Sequence, residues 1–322
     1  MRIIRYTEEY RAQWEQFVSN SKNGTFHLSR NFIDYHGTKF NDHSLLAFDE
    51  EKLVGVLPMN ELEQIIYCHQ GLTYGGWVLS QNIRLDEFHA LFKNFLNYLS
   101  AKGFETLYYK TIPYMYHQIP SQEDVHMMHL AGALCSGQHV NPVVIPSNVP
   151  AFQERRIRGM KKALKEGIRI EVSENVDAYS TIVEDLLKAY NSKPAHSREE
   201  LIDLKNRFPN EIILHAAFVG NEMCGGILCF ETPNCVRFQY IASTLEGKEK
   251  GALDLLFATL IQERYSKKNF IDFGTSTNNQ GASLALGISQ QKEGFGARTS
   301  VQPIYTLALN SVNWDALNAF VS

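Results

Sequence analysis

Ile212-Ile213-Leu214-His215-Ala216-Ala217-Phe218-Val219 reads as a strand, Gly220-Asn221-Glu222 as a turn, and Met223 to Phe230 as the returning strand. Val236 to Ser243 continues in extended form. Residues 252–265 then place Leu253, Leu256, Phe257, Leu260 and Ile261 on one helical face. After the turn Lys267-Lys268-Asn269 comes another strand, Phe270-Ile271-Asp272-Phe273-Gly274. The same series occurs earlier in the chain. Ser44-Leu45-Leu46-Ala47-Phe48 and Leu53-Val54-Gly55-Val56-Leu57 form a hairpin around Asp49-Glu50-Glu51. Gly71 to Leu79 is the third extended stretch. Residues 84–101 give a helix facing inward with Leu85, Phe88, Leu91, Phe92, Phe95 and Leu99, and Phe104 to Tyr109 the strand after it.

Two copies of one order, about 165–170 residues apart, indicate a duplicated unit. The expected architecture is α/β (α+β): two tandem domains, each a mixed, mostly antiparallel sheet flanked by helices. The stretch Ile145-Pro146-Ser147-Asn148-Val149-Pro150 reads as the linker, so the domains are placed at 1–148 and 149–322.

Composition narrows the classes. Of the 322 residues, 44% are hydrophobic and 20% charged, which fits a globular chain. The net charge of −4 argues against bulk coating of nucleic acid. It hides a local feature, because residues 154–170 carry 7 basic and 2 acidic side chains. Five cysteines without close pairing suit a reduced, cytoplasmic setting. No apolar run approaches the ~18–20 residues of a membrane span. His126 and His129 lie at i, i+3 without further ligands, so no metal is expected.

The hairpin, third strand, loop and long helix resemble the core order of the GNAT acyltransferase fold, most clearly in the second half. Lys161-Lys162-Ala163-Leu164-Lys165-Glu166-Gly167-Ile168, within a basic helix at 154–168, resembles the basic helix at the domain junction of Fem-type aminoacyl transferases. Gln291-Lys292-Glu293-Gly294-Phe295-Gly296 resembles that family's Phe-Lys-x-x-Phe-Gly segment, with Gln291 in place of the first aromatic. The FemAB-like acetyltransferase branch is the nearest in pattern. This resemblance implies a tandem GNAT fold and an N-acyltransferase, most simply an acetyltransferase acting on an amine of a small cell-envelope or sugar precursor. Acetyl-CoA would be the donor. One alternative is aminoacyl transfer from charged transfer RNA, although the short connection before residue 252 leaves no room for the helical hairpin often found in RNA-docking members. Another is a non-catalytic tandem-GNAT binding module.

Acyl transfer needs a cation or hydrogen-bond donor for the developing oxyanion, and proton transfers at the amine and the leaving group. Lys292 is the candidate for the first role, or for holding donor phosphate. Tyr240 is placed to protonate a leaving thiolate. Asp272, ending an apolar strand, is placed to hold or deprotonate the amine. Strand alternation puts Arg237, Gln239 and Ile241 on one face and Phe238, Tyr240 and Ala242 on the other. By analogy with the family's pyrophosphate loop, Gly247, Lys248, Lys250, Gly251 and Ala252 would bind the donor, since glycines let phosphate approach unpaired backbone N–H groups. In the first half, the Gly-rich aromatic stretch 67–77 suggests acceptor recognition, with His69 and Gln70 as polar contacts and Tyr74 and Trp77 as stacking surfaces. Arg158, Lys161, Lys162 and Lys165 share one helical stripe, either a solvated face or a phosphate contact.

Overall fold

A computed structural model describes residues 1–189 and 191–321. The chain divides into two compact units. The first comprises Met1–His139, Gln280–Ala282 and Val301–Ser322, and the second Val140–Asn279 and Ser283–Ser300. The division thus falls at 139/140 rather than at 148, and the C-terminal stretch from Val301 belongs to the first unit.

In the first unit, Arg2–Arg5, Leu45–Asp49, Lys52–Leu57 and Val78–Leu79 form a four-stranded antiparallel sheet in that order. The helix Leu85–Ala101 buries Phe88, Leu91, Phe92, Phe95, Leu96 and Leu99, one side of its 3.6-residue period. Its first turn is acidic, with Asp86 and Glu87, and the Glu87 carboxylate accepts from the Arg84 backbone N–H. Thr106–Lys110 pairs in parallel with Ile65–Tyr67 and antiparallel with the end of the last strand, Ile304 to Ala308. It therefore belongs to a different sheet from Val78–Leu79. Only Val78 and Leu79 of the expected strand Gly71–Leu79 are extended in a sheet; glycines at 71, 75 and 76 break the run.

In the second unit, Arg169–Ser173, Ile212–Val219, Glu222–Glu231 and Cys235–Ser243 run antiparallel in order. Phe270–Asp272 joins them in parallel. The basic helix Glu154–Lys165 and the helix Ala252–Thr259 lie over one face. Ala163, Leu256 and Phe257 there cover Ile227, Cys229, Val236 and Phe238 in one apolar cluster. The last turns of the long helix, Leu260–Arg264, widen to a π-helix. Helices Val176–Lys188 and Arg198–Arg207 complete the unit. The expected α/β class, with mixed, mostly antiparallel sheets flanked by helices, is the class found. No helix among the described residues is long and apolar enough to cross a membrane.

Candidate functional site

A bulge decides which side chains of Cys235–Ser243 meet. Cys229 pairs with Phe238 and Leu228 with Tyr240, so Gln239 is one residue more than the partner strand supplies. Directly opposed residues share a face, and Leu228 and Cys229 point opposite ways. Phe238 therefore enters the apolar cluster, its ring 5.0 Å from Phe273 and 5.9 Å from Phe257. Tyr240 turns to the other face, the one that holds Arg237, which pairs with Phe230. This corrects the simple alternation, which put Phe238 and Tyr240 together.

On that face the Tyr240 hydroxyl accepts from the backbone N–H of His196 at 3.1 Å and lies 2.7 Å from His196 Nδ1. The direction of that second hydrogen bond follows the imidazole tautomer. Burial pushes the Tyr240 hydroxyl up to about 12, so it keeps its proton at neutral pH. His196 is held by its position one residue before the capping box of Ser197 and Glu200.

Arg237 Nη1 donates to Asp272 Oδ2 at 2.6 Å, and Asp272 Oδ1 accepts from Gly274 N at 2.8 Å. Asp272 is fully buried. Both of its oxygens are engaged, so it holds Arg237 and the turn at Gly274 rather than offering a base to an amine. That is a correction, and its cause is the cost of leaving a buried carboxylate unpaired.

Lys292 lies in the last turn of the helix Leu286–Glu293 and is 6% exposed. Its Nζ donates to Gly274 O at 3.0 Å and Thr275 O at 2.9 Å. An ammonium has three donors, so one has no acceptor among the described residues. Burial lowers its pKa to about 8; Asp272 opposes that shift and Arg237 adds to it. The next residue of the same turn, Ser276, is buried and its Oγ has no hydrogen-bond partner among the described residues. Phe295 anchors the segment, fully buried 4.6 Å from Phe257. Lys292, Arg237 and Asp272 thus form one buried group with one positive charge in excess, and Tyr240 with His196 shares the sheet face of Arg237.

The expected donor loop is built differently from an open cradle. Thr244 caps a six-residue helix, Leu245–Lys250, and its Oγ1 accepts from Gly247 N at 3.1 Å. A Cβ on Gly247 would lie 2.0 Å from Cys224 O, so this glycine is needed for close packing on the neighbouring strand. Gly251 adopts a left-handed φ of 80° and would place a Cβ 2.5 Å from Gly159 O of the basic helix. Lys250 pairs with Glu246 at 2.8 Å, Ala252 is buried, and Lys248 is exposed. Both glycines are spent on helix and strand contacts.

The basic helix turns Met160 and Ala163 inward. Arg156 joins them, bonded to Asp254 at 2.9 Å with its guanidinium 5.3 Å from the Phe295 ring centre. Arg155, Arg158, Lys161, Lys162 and Lys165 are exposed.

In the first unit, Trp77 is fully buried, its ring edge-on to Phe95 at 5.4 Å. Tyr74 is buried too; its hydroxyl meets Thr25 Oγ1 at 2.9 Å and His27 Nδ1 at 3.0 Å, and its ring lies 4.6 Å from Tyr116. Neither offers an open stacking face, because rings of this size gain more from filling the core. Gln70 is exposed and clamped by Asn60 through two hydrogen bonds, of 2.7 Å and 2.8 Å. His69 is buried with a left-handed φ of 44°. The sequence reading did not find His196 or Ser276, which carry no spacing signal. Arg237 did carry one, a charge inside an otherwise apolar strand.

No protein-family model matches the chain, and no curated protein matches its sequence. Its fold does match solved structures. FemX superposes with a TM-score of 0.69 at 10% identity, over 99% of this chain and 100% of FemX. The C-terminal domain of a putative lysylphosphatidylglycerol synthetase from Agrobacterium fabrum gives 0.60 at 11% identity, over 96% of this chain and 95% of that one. L-PGS from Bacillus licheniformis gives 0.59 at 11%, over 98% and 96%. The chain therefore shares its fold with FemX and these synthetase structures.

Proposed function

We propose that the protein is an acyltransferase that moves an acyl group from a polyanionic carrier to an amine, with the chemistry in the second unit. The observation that carries this reading is Lys292: a buried ammonium, aimed by two carbonyls, with one donor left for an incoming oxygen. As the amine attacks, the carbonyl oxygen gains charge, and a preorganised cation in a dry site stabilises it best there. Tyr240 gives its proton to the leaving oxygen or sulfur as the bond to the carbonyl carbon breaks, the proton lost by the attacking amine restores it, and His196 holds the phenol in place. Asp272 acts through Arg237 and the Gly274 turn and is a positioning residue.

Two donors remain to be weighed. Acetyl-CoA is the simpler by family resemblance. The packing of Gly247 and Gly251 removes the physical reason for it, since neither glycine is free to approach a pyrophosphate. The exposed face of Arg158, Lys161, Lys162 and Lys165 favours a carrier with many phosphates. Charged transfer RNA is therefore the preferred donor, and an amine of a small cell-envelope or sugar precursor the proposed acceptor. Titration calorimetry of the full chain with aminoacyl-tRNA and with acetyl-CoA tests the assignment. Salt-dependent RNA binding without acetyl-CoA binding is expected. Stoichiometric acetyl-CoA binding would move the donor to the thioester, and binding of neither would favour a non-catalytic module.

A further inference from the structure

The first unit holds a partly buried lysine. Lys110 ends the strand Thr106–Lys110, and its Nζ donates to Leu72 O. No carboxylate pairs with it among the described residues, and its other two donors have no acceptor there. Burial lowers its pKa to about 8. Cys68, the titratable group that bears on it, is a buried thiol whose pKa burial pushes up, so it supplies no negative charge at neutral pH.

Lys110 and His69 meet at Leu72, whose carbonyl accepts from Lys110 Nζ and whose N–H donates to His69 O. His69 Nδ1 is buried and without a partner. Every charged group that bears on its ring is cationic when protonated: His36, Lys110 and Arg30. Arg30 is neutralised by Asp34 and Asp42. Lys110 is not neutralised. The turn that carries His69 is rigid, with Leu72 N bonded to His69 O at 3.2 Å and Gln70 clamped by Asn60. A left-handed conformation at a histidine costs of order 1 kcal/mol or more, and such strain persists only where the surroundings enforce it. His36 stacks on His69 at 5.3 Å and Phe40 meets it edge-on at 5.2 Å, and both are only partly buried, so the cluster opens at its rim.

An uncompensated, partly buried cation whose field reaches an orphaned imidazole nitrogen lacks one thing, an anion that accepts from both. We infer that Lys110 and His69 form a binding site for an oxyanion, a carboxylate or a phosphate, carried by the acceptor of the proposed reaction. This rests on the acyltransferase reading for the word acceptor only; the anion site stands on its own geometry. The site is in the unit that the Gly-rich stretch 67–77 marks for recognition. It moves that role from the buried rings of Tyr74 and Trp77 to the charged groups beside them.

Amine acetylation of the intact protein by acetic anhydride, read lysine by lysine by mass spectrometry, tests this. At matched ionic strength, inorganic phosphate or acetate is expected to slow modification of Lys110 about tenfold at saturation while leaving exposed Lys188 unchanged. Protection by phosphate alone assigns a phosphate-bearing ligand, and protection by acetate a carboxylate. His69→Asn, a residue that tolerates the left-handed turn, is expected to weaken the protection several-fold. No protection by either anion, or full protection retained in H69N, overturns the inference. Because no acyl donor is present, the outcome is independent of whether transfer occurs.

Discussion

The Lys292 ammonium carries the chemistry proposed for the second unit, and its removal is the sharpest residue-level test. Lys292→Met keeps most of the apolar stem and removes the cation. Transfer is expected to fall by about 10²–10³-fold, the usual cost of losing an oxyanion donor, with the protein still folded by circular dichroism. The wild-type rate also has a pH signature. Lys292 is an ammonium below about 8 and neutral above it, so the rate should decline as pH rises through that value. Tyr240→Phe and His196→Ala separate two roles. The first removes the proton itself. The second leaves the phenol in place but unaligned, so it is expected to cost less than the first and to be relieved by a donor with a better leaving group.

At the scale of elements, packing accounts for the two glycines of the 244–252 connection. Gly247→Ala forces a methyl against the Cys224 carbonyl and is expected to destabilise the chain by about 2 kcal/mol in urea unfolding. Arg158→Glu, Lys161→Glu and Lys165→Glu together lie on an exposed face. They should leave unfolding almost unchanged and lower transfer RNA affinity, with a shallower salt dependence. Both hairpins and both long helices were legible in sequence, because hairpin turns and helical periods are local signals. The bulge at Gln239 was not, because it exists only as a mismatch between two strands. It alone decides that Tyr240 joins Arg237. For the same reason Trp77 read as a binding surface. A Gly-rich aromatic run looks alike whether its rings face a ligand or fill a core, and only Phe95 settles which.

On the scale of the whole molecule, buried neutral histidines set the acid limit of stability. Burial lowers His69 to about 3 and His117 and His215 to about 4, from an ordinary 6.5. Between those values the unfolded chain binds more protons than the folded one, so stability falls as pH drops through the window. Asp124, raised to about 6 by burial, acts in the opposite sense below that value and offsets one of the three. Urea unfolding is therefore expected to show a loss of a few kcal/mol from about pH 7 to about pH 5. The duplicated order was readable from sequence, but the return of the chain from Val301 into the first unit was not, since a final strand reads the same in either unit. Acyl transfer is the central proposal, and hydroxylamine as a surrogate acceptor tests it without knowledge of the natural amine. The account predicts hydroxamate formation from aminoacyl-tRNA well above the uncatalysed background, lost in Lys292→Met. Formation no faster than background from both aminoacyl-tRNA and acetyl-CoA would contradict it.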